Sequence, residues 1–576
     1  MTTPRTAARD QHPPRQSDQP WWRTAVVYQV WPRSFADSGG DGIGDLRGLL
    51  GRLDHLSDLG VDVVWLSPVS PSPQVDNGYD VSDYQDVDPL FGSLADLDEL
   101  LRALHARGMR LVLDVVVNHT SDQHPWFLEA RASGESPKRD WYWWQPPRDG
   151  LAAGTPGGEP TDWQSLFSGP AWEFDAGTRE YYLHTFARQQ PDLNWDNPEL
   201  RAAIHAMLRW WLERGVDGFR LDVISMISKN VHGETPLLGF GARLHDYLQE
   251  LHREVFAGRG LLTVGETPGI RVDEARRMTD PERRELDMVF EFEHVSLDQG
   301  TSKWDVRPVS LSRLKRCFAR WQDGLAGTGW NSLYWNNHDQ PRAVSRFGHT
   351  GEHRVASATT LATVLHLHRG TPFVYQGEEL GMTNAGFSSI GEYRDVESVN
   401  HYAQAIAAGQ EPADVLAALQ RMSRDNARTP MQWDDSPHAG FSTGEPWIAV
   451  NPDHLVVNAA AQRRDPDSVF AHYRRLIALR HEVPAVALGT FELLLPDDEQ
   501  VWAFTRRHLD VELLVLANLS SHDVVAQVED RTWADAELLL GNLPGPLPTP
   551  DDPAGLPLRP WESRVLRRSR PAGRST

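Results

Sequence analysis

From Trp21 onward the chain alternates short, almost wholly apolar runs with longer amphipathic stretches. Eight runs stand out: 26–32 (VVYQVWP), 61–68 (VDVVWLSP), 109–119 (MRLVLDVVVNH), 216–222 (VDGFRLD), 261–266 (LLTVGE), 287–293 (DMVFEFE), 331–339 (NSLYWNNHD) and 371–379 (TPFVYQGEE). A strand with one wet face alternates apolar and polar residues, whereas a continuous apolar run is buried on both faces. The intervening stretches, such as 93–108, 197–215 and 310–325, carry their apolar residues at helical spacing. In the second, Ile204, Met207, Leu208, Trp211 and Leu212 share one face. Strand and helix alternating eight times predict an α/β chain closed into a (β/α)8 barrel.

Two connections are too long for ordinary strand-to-helix loops. The one after the third run predicts an inserted domain over 119–182, and the other spans about 377–452. Beyond a last helix near 467–482 the period falls to two, which predicts a C-terminal antiparallel β domain over 486–576. The barrel then comprises 21–118 and 183–485. Residues 1–20, polar and rich in Pro and Gln, read as a flexible tail.

Composition narrows the partners. Lys+Arg number 57 against 80 Asp+Glu, a formal net charge of −23, which argues against a nucleic-acid or anionic-membrane binder and suits a neutral small molecule. Cys317 is the single cysteine, so no intrachain disulfide or thiolate metal cluster forms; on its helix face it reads as an inert core residue. The first twenty residues lack an apolar signal core and no eighteen-residue apolar run occurs, so a cytoplasmic protein is expected. Lysine is scarce, four against 53 arginines, which reads as composition without bearing on the chemistry.

Several runs end in acidic residues or His, and barrel strands gather such ends at one rim. Asp222, Glu266 and Asp339 are the acids so placed. Glycoside hydrolysis needs one carboxylic acid to protonate the leaving oxygen and one carboxylate to attack or shield the anomeric carbon. Arg220 lies two residues before Asp222, on the same side of a strand, and is expected to keep Asp222 ionised. Glu266, ending an apolar strand among other carboxylates, is expected to carry the raised pKa of an acid catalyst. His338 offers a donor for a sugar hydroxyl.

Taken in order, DVVVNH (114–119), GFRLDV (218–223), VGE (264–266) and NNHD (336–339) resemble the four sequence regions of the α-amylase superfamily, glycoside hydrolase family 13. QPDLN (190–194), YQGEELGMTN (375–384) and RDNARTPMQW (424–433) are similar to its α-glucosidase and oligo-1,6-glucosidase branch, and the likeness runs from about Trp21 to the end. The resemblance implies a barrel with a domain inserted after strand three and a C-terminal β-sandwich. It implies Asp222 as nucleophile, Glu266 as acid/base and Asp339 as a third acid bracing the transition state. A nonreducing-end glucose pocket would be lined by Asp76, Tyr79, His119, Phe186, Gln190, Arg220, His338, Arg424 and Arg428, with Phe167 as an aromatic wall. In this branch a valine after the nucleophile, here Val223, goes with α-1,6 linkages.

The resulting expectation is a retaining, exo-acting α-glucosidase for short α-glucosides that favours α-1,6 linkages and is capable of transglucosylation. An α-1,4 preference, or a sucrose- or trehalose-directed transferase or isomerase, is the alternative. A binding relative without catalysis would lack acids that this chain has. No cofactor is expected in catalysis. The run from Asp37 to Asp45 looks like a calcium loop, and the branch implies a structural Ca²⁺ or Mg²⁺ on Asp37, Asp41, Asp45 and the Ile43 carbonyl. Gly39 stands where the family usually has Asn.

Overall fold

The computed structural model describes residues 19–231, 238–528, 533, 535–545 and 555–569; most of the expected tail, at 1–18, lies outside the described residues. All eight apolar runs form strands of one parallel sheet: β1 (Val27–Val30), β2 (Val63–Leu66), β3 (Arg110–Val116), β4 (Gly218–Asp222), β5 (Leu262–Glu266), β6 (Met288–Phe290), β7 (Ser332–Leu333) and β8 (Thr371–Tyr375). Hydrogen-bonded neighbours run β7-β8-β1-β2-β3-β4-β5-β6. The parallel bridge between Val289 and Asn331 closes the ring. β1, β2, β4, β5 and β8 are buried at every position, which is why they read as unbroken apolar runs.

The helices form where capping and periodicity agree. Leu94–Ala106 starts on a Ser93–Asp96 capping box. Pro198–Arg214 starts on Asn197, stops at Gly215 with φ +107°, and buries the five residues of its apolar face. Cys317 is buried on the helix Leu311–Gly324.

Between β3 and β4 lies a three-stranded antiparallel sheet of Trp144–Gln145, Glu180–Leu183 and Trp172–Asp175. Trp143, Trp172, Tyr181 and Leu183 make its core, so the run of aromatics at 141–144 is mainly packing. After the last barrel helix, Thr490–Leu494, Val501–His508, Val511–Asn518, Ser563–Ser569 and Glu537–Gly541 form a five-stranded antiparallel sheet. A two-stranded ladder, Val524–Gln527 with Gly555–Leu558, packs against it through Ala526 and Leu558. The sequence pattern missed that ladder. Among the described residues no helix is long and apolar enough to cross a membrane.

Candidate active site

Register places the central charge cluster. Arg220 on β4 stands opposite Asp114 on β3, and Asp222 lies two residues along on the same side. The Arg220 guanidinium donates through one terminal nitrogen to Asp222 Oδ1 (2.6 Å) and Asp114 Oδ1 (2.9 Å). Its other terminal nitrogen pairs with Glu266 Oε2 (2.7 Å), at the end of β5. Asp222 Oδ2 and Glu266 Oε1 take no part in these bonds, and both residues line a cavity of about 460 Å³.

Three carboxylates on one cation leave a surplus of negative charge. Burial, reinforced by the Glu266 and Asp114 charges, raises the Asp222 carboxyl well above the usual carboxylate range against the pull of Arg220. Burial raises Asp114 as well. The expected hold of Arg220 on an ionised Asp222 is thus opposed: burial and the neighbouring acids outweigh the guanidinium's pull on that carboxyl.

The third acid sits differently. β7 ends at Leu333, so Asp339 is on the loop six residues beyond the strand and not at its tip. Burial would raise its carboxyl, yet His338, Arg424 and Arg428 together hold it well below the usual range. Arg428 donates to it at 2.8 Å and Arg424 at 3.3 Å, and His338 Nε2 lies 3.1 Å away. Asp339 is a fixed anion.

One end of the cavity is walled by Asp76, which meets Arg424 at 3.1 Å and accepts from Gln190 Nε2 at 3.1 Å. Burial raises the Asp76 carboxyl to about 6 against the Arg424 charge. Phe167 covers the Arg424 guanidinium at 4.8 Å and meets Phe186 edge-on, and Phe186 in turn touches His119. Tyr79 donates to Asp114 at 3.0 Å and stacks on His338, which also stacks on Trp31.

Of the expected lining residues, Asp76, Tyr79, His119, Phe167, Phe186, Asp222, Val223, Glu266, Asp339 and Arg424 do line the cavity. Gln190, Arg220, His338 and Arg428 do not. They are 0%, 1%, 0% and 0% exposed and stand behind the wall, spending their donors on Asp76, Asp222, Glu266 and Asp339. Val223 has φ +34°, an unusual backbone for a β-branched residue. Its N–H donates to Glu266 Oε2 at 3.1 Å, a second hold on the acid beside Arg220.

Sequence reasoning missed several contributors. Asp114 was inside a quoted motif but carried no role; a lone acid in the middle of an apolar strand was the available signal. Asp395 is fully buried and binds Arg424 at 2.9 Å. Lys303, Glu397, Phe292 and Gln299 also line the cavity, with Lys303 donating to Glu397 at 2.6 Å. Asp395 caps the helix Val396–Ala407 and Glu397 lies in its first turn, within the long connection after β8, while Lys303 and Gln299 come from a loop.

The loop from Asp37 to Asp45 does not present its carboxylates to a common point. Asp37 Oδ1 accepts from the Gly39 and Gly40 amides, and its Oδ2 from Gly42 N and the Ser442 hydroxyl. Asp41 accepts from Ile43 N, and Asp45 caps the helix Leu46–Leu50 through Gly48 N. Among the described residues no cluster of three such side chains fits a metal ion. As arranged, this donor set is committed to the loop's own amides and does not fit a Ca²⁺ or Mg²⁺ cage.

The comparisons with known proteins agree with this architecture. A family model described as Alpha amylase, catalytic domain, matches residues 29–489. The chain is 50% identical over 563 residues to an oligo-1,6-glucosidase of Parageobacillus thermoglucosidasius, covering 95% of this chain and 99% of that one. It is 48% identical to an oligo-1,6-glucosidase of Bacillus cereus, covering 96% and 100%. A crystal structure of a trehalulose synthase MutB mutant in complex with Tris superposes with a TM-score of 0.91 at 42% identity, covering 95% of this chain and 100% of that one.

Proposed function

Since the chain belongs to the α-amylase family of glycoside hydrolases, we propose that it is a retaining, exo-acting α-glucosidase releasing glucose from the nonreducing end of short α-glucosides, with a preference for α-1,6 linkages. One observation carries the reading: Asp222 and Glu266 sit on the two terminal nitrogens of a single buried guanidinium, at a cavity that the paired Asp76 and Arg424 also line. Two carboxylates that share one guanidinium are close enough to act on one glycosidic bond from either side, the short spacing that suits a double displacement.

Asp222, through its unengaged oxygen, attacks the anomeric carbon. Glu266, through its unengaged oxygen, acts as the general acid that protonates the leaving oxygen. The glucosyl–Asp222 ester is then resolved by water, or by a second sugar, with Glu266 now taking the proton. Asp339, pinned as an anion by two arginines and His338, stabilises the positive charge that develops on the ring. Asp76 and Arg424 engage hydroxyls at the closed end, and the Phe167 and Phe186 rings cover apolar ring surface. The two oligo-1,6-glucosidase relatives support the linkage preference, and Val223 is the residue assigned to it.

The test is product analysis on isomaltose, maltose, sucrose and trehalose, with the anomer of released glucose read by NMR in the first minutes. Isomaltose turnover with α-glucose released first is the expected outcome. Early β-glucose, or internal cleavage of a longer chain, overturns the mechanism. Asp222→Asn and Glu266→Gln should each lose roughly three or more orders of magnitude in kcat while remaining folded.

A further inference from the structure

Lys229 is buried just behind the glucose end of the cavity, and the mechanism above gives it no task. Its ammonium donates to Asn118 Oδ1 (2.6 Å) and to the Met226 carbonyl (2.6 Å), with Asp192 Oδ2 at 3.3 Å. The Lys229 and Asp192 side chains are both 0% exposed. Asn118 and Asp192 flank His119, and Asp192 is anchored in turn by the Thr185 amide at 3.0 Å and the Thr185 hydroxyl.

An ammonium has donors only, which removes an ambiguity. The Asn118 amide has to turn its oxygen to Lys229, so its NH₂ faces His119 Nδ1 at 3.1 Å. Nδ1 is then an acceptor, and the neutral ring carries its proton on Nε2. There Nε2 donates to the Tyr79 carbonyl at 3.1 Å. The opposite tautomer has a partner of its own, because Gln190 Nε2 lies 3.2 Å from His119 Nε2. Choosing it would require the Asn118 amide to flip, setting NH₂ against NH₃⁺ at 2.6 Å in a buried site. The charge on Lys229 decides between them. Burial, with Lys229 adding to it and Asp192 opposing, pushes the His119 pKa down to about 4, so the ring is neutral at working pH and its tautomer is what matters.

We propose that Lys229 is a positioning residue which, by orienting the Asn118 amide, fixes His119 in the Nε2–H form and so makes it a hydrogen-bond donor at the glucose end of the cavity. Its third bond, to the Met226 carbonyl, holds the short helix Ile224–Met226 that follows Val223, so one cation ties the glucose end to the segment beside the leaving group. The functional half of this rests on the glucosidase reading; the tautomer does not.

The experiment is ¹⁵N NMR of the full chain labelled at its histidine rings, without substrate, with the His119 signals identified by their loss in His119→Gln. Wild type should show a neutral ring protonated at Nε2 alone. In Asn118→Asp the new carboxylate can only accept, so Nδ1 should become protonated. A wild-type ring protonated at Nδ1, or an Asn118→Asp ring still bare at Nδ1, overturns the relay. For function, Asp192→Asn/Lys229→Met removes both buried charges together, which spares the fold the unpaired carboxylate that Lys229→Met alone would leave. KM for isomaltose should rise roughly tenfold, with a smaller change in kcat. An unchanged KM in a double variant whose ring has lost the Nε2–H form overturns the role in binding while leaving the glucosidase reading intact.

Discussion

Glu378 offers a quantitative test of the barrel's buried electrostatics. It follows β8, where Oε1 accepts from the Tyr473 hydroxyl at 2.7 Å and Oε2 has no partner. Burial, with the neighbouring Glu379 charge adding to it, raises its pKa from 4.5 to about 8. The folded state therefore keeps a proton that the unfolded chain releases from about pH 4.5 upward. The stabilisation is complete below 4.5 and is lost as pH climbs through the folded value. At about 1.4 kcal/mol per pKa step of one, the loss is under about 1 kcal/mol at pH 5, about 3 kcal/mol at pH 7 and about 4 kcal/mol at pH 8. Glu378→Gln accepts the same tyrosine bond and leaves one donor unpaired, as the neutral acid does, but it cannot ionise. Every other titration is common to both proteins and cancels in the difference. At about 2.1 cal/mol/K per residue over 576 residues, the variant's melting temperature should match wild type within about 1 °C at pH 5 and exceed it by about 3–4 °C at pH 8. Paired calorimetric scans in the same buffers measure it. A difference that stays flat with pH, or that opens toward low pH, refutes the assignment of a protonated Glu378.

Three further outcomes follow from the site. Val223→Thr keeps shape and β-branching but puts a hydroxyl beside the leaving sugar, so kcat/KM for maltose relative to isomaltose should rise by about three- to tenfold; an unchanged ratio refutes the assignment of linkage preference to Val223. Asp395→Asn strips the main counter-charge from Arg424 and a more distant one from Arg428, which hold Asp76 and Asp339; a stability loss of about 3–5 kcal/mol is expected in denaturant titration, together with a higher KM for isomaltose. Because the Asp37–Asp45 carboxylates are already satisfied by amides, an excess of chelator should leave both the melting temperature and the isomaltose rate unchanged, and a fall of several degrees reversed by Ca²⁺ would show that the loop rearranges around an ion.

What the sequence disclosed and what it concealed divide along physical lines. The eight strands were legible because burial on both faces leaves no polar alternation, and Arg220 with Asp222 was legible because strand geometry puts i and i+2 together. The loop from Asp37 misled for an equally physical reason. Acids at alternating positions between glycines are what a cation loop needs, and also what a loop needs to bind its own amides; a pattern of residues does not say which way the carboxylates turn. Asp395 and Glu397 were hidden because the helix they start, Val396–Ala407, lies in a long connection whose path over the barrel the sequence does not fix, and Lys303 because its loop has no period. Lysine shows the same limit in composition. In a chain that uses arginine almost throughout, the scarcity of lysine read as background, yet two of the four lysines, Lys229 and Lys315, are buried where one nitrogen meets three acceptors. Lys229 meets Asn118, Met226 and Asp192, and Lys315 meets the carbonyls of Leu495, Asp498 and Val501 within 2.8 Å. A compact ammonium with three rotatable donors satisfies convergent acceptors at a point, whereas a planar guanidinium spreads its donors along an edge. The two buried lysines occupy points where a guanidinium's donors would not converge, and one of them stands behind His119 at the cavity wall.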